Sequence, residues 1–175
     1  MSNTIVFTLT GPDRVGIVED VTSVLLGLGA NIETSRMERL GGEFAMLVLL
    51  ALPAEKIADL DGALAHLTGG GYKVTTTPTD QGASAAYAGW LSYRVEVHGA
   101  DHEGIIHDVA AGISQLGINI ESMETGTSRA PVSGVTLFDM SALVLVPPGV
   151  ADTDWITALD EAGQRANVDV EVTRQ

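Results

Sequence analysis

The sequence contains no cysteine, few basic residues and no long hydrophobic run, and each absence narrows what the chain can be. Without cysteine it forms no disulfide, no thiolate nucleophile and no cysteine-based zinc site. Nine lysines and arginines stand against 23 acidic residues, and the formal net charge of −14 opposes direct binding to nucleic acid, whose phosphates require a basic surface. The longest apolar run, residues 44–53, is about half of the roughly 20 residues that a membrane-spanning helix needs, so it predicts a buried strand and no membrane contact.

Length and hydrophobic content predict a folded protein. The 175 residues are enough for one ordinary domain or two small ones, and 45% of them are hydrophobic. The first ten residues lack the basic start and the apolar core of a secretion signal, so a cytoplasmic location is expected.

An internal repeat is the main positive feature of the sequence. Residues 11–33 and 99–121 align without gaps and share eleven of 23 positions, beginning with "GPDRVGIVEDV" and "GADHEGIIHDV". The match resumes at Phe44 and Phe138, where the separation has grown from 88 to 94 residues. The second copy therefore carries six additional residues, which lie within "TSRAPVSGV".

Each copy shows the same order of hydrophobic periodicities. Alternating apolar residues at 5–9 and 91–97 predict first strands, and apolar residues three or four apart from Ile17 to Leu28 and from Ile105 to Leu116 predict helices that end at a glycine. A second strand, a tight Gly41–Gly42 hairpin turn and a third strand are expected next. A short amphipathic helix and a last strand complete a βαββαβ order, which predicts an α+β, ferredoxin-like fold with antiparallel sheets and helices on one face.

These patterns predict a first module at residues 1–79, a linker at 80–89 and a second module at 90–175, with Trp90 anchoring the end of the linker. Both faces of the third strand are apolar, since Leu47, Leu49 and Ala51 alternate with equally apolar neighbours. Helices cover only one face of such a sheet, so the other face is expected to pack on the sister module or on a second chain, which predicts a homodimer. Coverage of that face by the linker is the alternative.

The repeated strand and helix pattern resembles the ACT domain, a ferredoxin-like regulatory module that commonly binds amino acids. The tandem arrangement narrows this resemblance, and three segments, "GPDRVGIV", "NIETSRMERLGGEFAMLVLL" and "APVSGVTLFDM", are similar to the family of glycine cleavage system transcriptional repressor-like proteins. That resemblance implies a non-enzymatic protein without a cofactor, which responds to glycine or a related small molecule and contacts a separate DNA-binding regulator. The alternative is a dimeric ACT sensor or scaffold that serves a metabolic enzyme and has no transcriptional role.

The repeated turn between the first strand and the first helix has the parts that a small zwitterion requires. Free N–H groups at the helix start, near Arg14 to Ile17, suit a carboxylate, and glycine lets a ligand approach the main chain. The aspartates can accept hydrogen bonds from an ammonium group, Arg14 or His102 can donate to the carboxylate, and the asparagines can do both. The candidate ligand-binding residues are Gly11, Asp13, Arg14, Gly16, Ile17 and Asn31, with Gly99, Asp101, His102, Gly104, Ile105 and Asn119 in the second copy.

A structural interpretation of the same residues remains open. An aspartate before a helix is commonly an N-cap worth about 1 kcal/mol, the glycines can serve helix packing, and asparagine is frequent in turns. The change from "DRVG" to "DHEG" predicts that the first module is the better amino-acid site and that the second is specialised for contact through its longer hairpin.

Other chemistries find little support in the sequence. Histidines 98, 102 and 107 with nearby aspartates suggest a metal site, but their spacing fits no established zinc pattern, so no metal is expected. The sequence contains no "GxSxG" motif and no phosphate-binding glycine loop.

Overall fold

Two units of the same design follow one another along the chain. A computed structural model describes residues 2–79, 85–150 and 152–175. The chain separates into Met1–Ala83 and Ser84–Gln175, called the first and the second module below. The finer boundaries, with a linker at 80–89, stay a prediction, and residues 80–84 lie outside the described part.

The first module contains a four-stranded antiparallel sheet and three short helices. The elements in chain order are β1 (Ser2–Pro12), α1 (Ile17–Gly27), β2 (Asn31–Leu40), β3 (Glu43–Pro53), α2 (Ile57–Ala63), α3 (Ala65–Gly69) and β4 (Lys73–Pro78). The strand order is β2-β3-β1-β4, so β3 and β1 are the two inner strands.

The second module repeats this topology. Its elements are β5 (Leu91–Ala100), α4 (Ile105–Gln115), β6 (Asn119–Arg129), β7 (Thr136–Val146), α5 (Asp152–Arg165) and β8 (Val168–Arg174), and the strand order is β6-β7-β5-β8. The irregularity of the outer strand also recurs, because the pairing register shifts after Ile32 in β2 and after Ile120 in β6. The α+β, ferredoxin-like prediction is confirmed.

Alternation along the strands and helical spacing along α1 place the core where the sequence predicts it. In the first module Phe7, Val48 and Val21 come from β1, β3 and α1 and are fully buried together. The opposite face of β3 is less covered, since Leu47 is half exposed and Leu49 and Ala51 are only partly buried. Burial of this face in a homodimer stays a prediction.

The second helical segment of the first module differs from the single amphipathic helix that the spacing predicts. A 3-10 turn at Ala54–Lys56 precedes α2, and the helix breaks at Leu64 before α3 begins. At Leu64 the backbone has φ −89° and ψ −3°, and its carbonyl accepts from the N–H of Leu67 at 3.0 Å. The apolar periodicity is nevertheless met, because Leu60, Leu64 and Leu67 are all buried. The corresponding α5 is continuous and buries Trp155 and Leu159.

The hairpins show how the copies diverged. Gly41 and Gly42 have φ of +60° and +93°, which confirms the predicted tight turn, because two successive positive φ values define the favoured two-residue hairpin. In the second module the hairpin is longer, and residues 130–135 form a loop closed by the N–H of Ala130 donating to the carbonyl of Val135 at 2.9 Å. The side chain of Val132 in this loop is fully exposed.

Of the predicted linker, residues 85–89 are described. Ala85 to Tyr87 form one 3-10 turn, and the rings of Tyr87 and Trp90 pack edge to face with their centroids 4.9 Å apart. This contact holds Trp90, which is partly buried, at the start of the second module. Across the described ranges, no helix combines the length and the apolar character required to span a bilayer.

Candidate ligand-binding site

The repeated turn joins β1 to α1 in the first module and is tied to the neighbouring hairpin. The N–H of Asp13 donates to the carbonyl of Gly42 at 3.1 Å, and the Asp13 carboxylate lies 3.7 Å from the guanidinium of Arg39. Asp13 is not an N-cap, because Gly16 occupies that position and α1 has no side-chain cap. The capping interpretation of Asp13 is therefore wrong, and its carboxylate stays partly exposed.

Two pairs of glycines serve two different structural needs. Gly16 and Gly104 have φ of +88° and +97° at the helix starts, a conformation that side chains other than glycine rarely adopt. Gly11 and Gly99 instead allow close approach, since an added Cβ would lie 2.5 Å from Cδ1 of Tyr72 in the first module. At Gly99 the same atom would lie 2.7 Å from Cγ1 of Val168. Geometry thus accounts for the glycines, and a ligand role for them stays a prediction.

Arg14 is held by its own module. Its guanidinium forms an ion pair with Asp20 of α1 and lies over the ring of Tyr72, 5.8 Å from the ring centroid. The hydrogen bond between Arg14 and Asp20 raises the pKa of Arg14 and lowers the pKa of Asp20. Asp20 also lies 3.8 Å from Nε2 of His66. A ligand carboxylate would have to share Arg14 with Asp20.

Backbone donors remain at the start of α1. The N–H of Ile17 reaches the carbonyl of Arg14 at 3.4 Å, and the N–H of Asp20 donates to the carbonyl of Gly16 at 2.9 Å. Within the described ranges, the N–H groups of Val18 and Glu19 have no backbone acceptor. The N–H groups of Arg14, Val15 and Gly16 likewise have no backbone acceptor there, so the free donors run from the predicted stretch into the first turn of α1, which begins at Ile17.

Two neighbouring grooves border this helix start. The first, with a volume of about 520 Å³, brings together Asp13, Arg14, Gly16 and Ile17, four of the six candidate residues of this copy. Asn31 lies in the second groove, of about 500 Å³, and the two grooves share Glu19 and Thr22 as a common wall. Gly11 lines neither of these two grooves. We refer to the first as the turn groove and to the second as the Asn31 groove.

The second copy of the turn is arranged differently around His102. Its Nε2 lies 2.6 Å from the carbonyl oxygen of Ala166, and its Nδ1 lies 3.0 Å from the carbonyl oxygen of Glu103. A neutral imidazole donates from only one nitrogen, so two carbonyl acceptors favour the imidazolium. These hydrogen bonds, first from Glu103 and then from Ala166, raise the pKa of His102, and the charges of Asp101 and Asp108 add to the effect.

Because both ring nitrogens of His102 face main-chain oxygens, this side chain has no donor left for a ligand carboxylate. The N–H of Asp101 donates to the carbonyl of Thr136 at 2.9 Å, which repeats the anchoring of Asp13 on its hairpin. Gly104 precedes Ile105 at the start of α4, and Asn119 begins β6, so the other candidates keep the positions of their first-copy equivalents.

The three histidines of the second copy do not converge. His98 Nδ1 lies 2.8 Å from the carboxylate of Asp139, whereas His102 bonds to main-chain carbonyls. Over residues 2–79, 85–150 and 152–175, no three histidine or acidic side chains are grouped closely enough to hold a metal ion.

Several residues around the turn escaped the sequence analysis. Asp20, Tyr72 and Arg39 contact the candidate residues from α1, from the residue before β4 and from β2. The repeat could have identified Asp20, since Asp20 aligns with an identical residue, Asp108. Tyr72 and Arg39 carried none, because their proximity depends on the folded sheet.

Comparison with known families agrees with the fold and the repeat. One ACT-domain model matches residues 3–68, and another matches residues 93–144. The chain therefore belongs to the ACT-domain family and carries one ACT domain in each half. This confirms the tandem arrangement that the sequence resemblance implies.

Among individual proteins, the chain is similar to the glycine cleavage system transcriptional repressors of Escherichia coli K12 and Shigella flexneri. Each is 45% identical over 47 residues, a match that covers 27% of this chain and 25% of the relative. The match therefore spans about a quarter of the length of these curated relatives.

Two solved structures share the fold over the full chain. An unknown protein from Galdieria sulphuraria is 34% identical with a TM-score of 0.84, and the alignment covers 100% of this chain and 99% of that one. A protein provisionally assigned as a glycine cleavage system transcriptional repressor has a TM-score of 0.73 at 20% identity, covering 100% and 98%. At that identity the second likeness shows the fold alone.

Proposed function

We propose that this protein is a non-enzymatic regulator that binds a small amino acid in the first module and modulates a partner protein. The partner is a DNA-binding transcriptional regulator of glycine cleavage or amino-acid metabolism, and the complex acts in the cytoplasm with this chain as a homodimer. The observation that carries the proposal is the turn groove, where a carboxylate, an arginine and the start of a helix meet beside an apolar wall.

Each end of an amino acid has a group to bind in this groove. The ligand carboxylate accepts from the free N–H groups of Val18 and Glu19, at the positive end of the α1 dipole. The ligand ammonium donates to the carboxylate of Asp13, which is partly exposed and paired only loosely with Arg39 at 3.7 Å. Arg14 supplies positive charge near the carboxylate while Asp20 fixes its position.

At the second turn, the residue aligned with Arg14 has no donor left for a ligand. Both ring nitrogens of His102 lie at hydrogen-bond distance from main-chain carbonyls, those of Glu103 and Ala166. We therefore assign the amino-acid site to the first module and the contact with the partner to the second. This assignment matches the prediction made from the change of "DRVG" to "DHEG".

Isothermal titration of the full chain with glycine and other amino acids tests the binding step. Replacing Asp13→Asn should weaken binding about tenfold or more, because a charge-assisted hydrogen bond contributes about 1.5–3 kcal/mol. Asp101→Asn in the second copy is the matched control and should leave the affinity unchanged. Arg39→Gln removes the ion pair but keeps the Asp13 carboxylate, so it separates loss of the acceptor from loss of turn geometry.

Two results would contradict this assignment. If Asp101→Asn abolished binding and Asp13→Asn did not, the site would lie in the second module. If no amino acid at millimolar concentration raised the unfolding temperature or released heat, sensing itself would be refuted, since a ligand at 100 times its Kd stabilises by about 2.7 kcal/mol.

The acidic charge of the chain requires the partner to make the DNA contacts. A net charge of −14 repels phosphates, so a transcriptional effect has to pass through a protein that carries its own basic surface. Affinity capture of the tagged chain from its host, followed by identification of the bound protein, tests this step. A DNA-binding regulator is the expected partner. A metabolic enzyme in its place would contradict the transcriptional role.

A further inference from the structure

One wall of the turn groove is an apolar surface that only the side chain of a bound amino acid, and not its backbone, could cover. It is formed by Ile17, which is buried at the start of α1, by Val18, which is 40% exposed, and by the partly buried ring of Phe44 on β3. Glycine has no side chain to cover this wall. Bound glycine would therefore leave it in contact with water.

The apolar surface continues past the turn groove. Beyond the shared residues Glu19 and Thr22, the Asn31 groove presents Leu26, which is 76% exposed, and Ile32, which is 38% exposed. In the second copy Ile120 corresponds to Ile32 and is equally apolar, but Ser114 of α4 replaces Leu26. The apolar surface along the helix thus extends further in the first module, in which we place the amino-acid site.

The charges at the groove fit an amino acid and not a simple fatty acid. Asp13 and Glu19 line it as acids, whereas the positive charge of Arg14 is offset by the ion pair with Asp20. A ligand without an ammonium group would bring a negative charge into this acidic setting uncompensated. A free ammonium group is therefore required beside an apolar side chain.

We propose that the ligand of the turn groove is an amino acid with an aliphatic or aromatic side chain, which packs on Ile17, Val18 and Phe44, and that glycine is a weak ligand. This inference rests on the proposed function: it keeps an amino acid as the ligand of the first module and replaces the small amino acid by one with an apolar side chain. Full burial of one methylene raises the affinity about fourfold, and burial of about half its surface in an open groove raises the affinity about twofold. Leucine should accordingly bind at least about tenfold more tightly than glycine.

Titration calorimetry on the full chain tests the proposal with a graded set of ligands. Glycine, alanine, valine and leucine should bind with increasing affinity. Leucinamide, which lacks the carboxylate, and 4-methylpentanoate, which lacks the ammonium group, should both bind far more weakly than leucine. These two probes separate recognition of the amino acid from simple hydrophobic association.

A matched pair of variants locates the apolar wall. Val18→Ser should weaken leucine binding about threefold or more, because the side chain of leucine loses its apolar contact with the wall. Ile106→Ser is the control, since Ile106 occupies the aligned position of α4 and is 44% exposed, close to the 40% of Val18. It should leave leucine binding unchanged.

Failure of this inference differs from failure of the proposed function. If glycine bound as tightly as leucine, amino-acid sensing would stand and the apolar preference would be refuted. If Val18→Ser and Ile106→Ser had equal effects, the ligand would not lie in the turn groove. If no member of the series bound, both the inference and the proposed function would be overturned.

Discussion

Replacing Gly16→Ala should destabilise the first module through the backbone alone. Gly16 has φ +88°, and an added Cβ would meet only Nη1 of Arg14, at an ordinary van der Waals distance of 3.9 Å. The cost is therefore that of placing an L-residue in the left-handed region, about 1–2 kcal/mol. For a module of this size that corresponds to a fall in Tm of about 5–15 °C, measurable by calorimetry or urea unfolding.

Two further substitutions make this prediction specific. Gly27→Ala, at the end of α1, lies in open space without a positive φ and should stabilise by about 0.4–1 kcal/mol. Gly16→Asn should cost less than Gly16→Ala, because asparagine tolerates the left-handed region better. If Gly16→Ala unfolded at the same temperature as the native protein, the positive φ would not be the reason for glycine at the helix start. The role of the repeated glycines would then have to be sought in the ligand.

Two other perturbations test the second module. His102→Gln should flatten the pH dependence of stability. Because the folded state raises the pKa of His102, this residue contributes its full stability below its unfolded pKa of about 6.5 and loses that contribution as the pH rises through the higher folded value. Between about pH 5.5 and 8.5 the free energy of unfolding measured with urea should therefore fall for the native protein and not for the variant. An unchanged slope would show that the imidazolium does not hold the turn. Trp155→Phe should change stability by less than about 1 kcal/mol, because the loss of ring volume is offset by removing the buried Nε1–H, which has no acceptor among the described residues. Trp155→Ala, in contrast, should cost about 3–5 kcal/mol by thermal unfolding, and equal costs for the two variants would contradict this account.

The sequence was sufficient for the fold because its strongest signals are local and repeated. Alternating residues such as Phe7 and Leu9 lie inside, and the Gly41–Gly42 pair forms the hairpin. The helix break at Leu64 could not be predicted from these local signals. Apolar spacing fixes which side chains face the sheet, but it does not distinguish an α-helical turn from a 3-10 turn that presents the same leucine.

The candidate site was only partly predictable for a related reason. The spacing of Asp13, Arg14, Gly16 and Ile17 along the chain brought them into one groove, since they occupy a single turn. The partners that decide what those residues do come from elsewhere. Tyr72 reaches Arg14 from the segment before β4, the strand that pairs with β1, and such a contact depends on strand order and has no signature in the local sequence.

The two copies of the turn make the same contact with different side chains. In both modules the residue after the aspartate reaches the segment before the last strand: Arg14 lies over Tyr72, and His102 bonds to the carbonyl of Ala166. The shared requirement is therefore a bridge between these two segments. A guanidinium makes that bridge through its face and keeps N–H groups for other acceptors, whereas the imidazole makes it with Nε2 and has its Nδ1 on the carbonyl of Glu103. Exchange of arginine for histidine thus leaves the fold intact while it removes the spare N–H groups and the positive charge that we propose beside the ligand carboxylate, which is why we expect duplication of the module without duplication of the site.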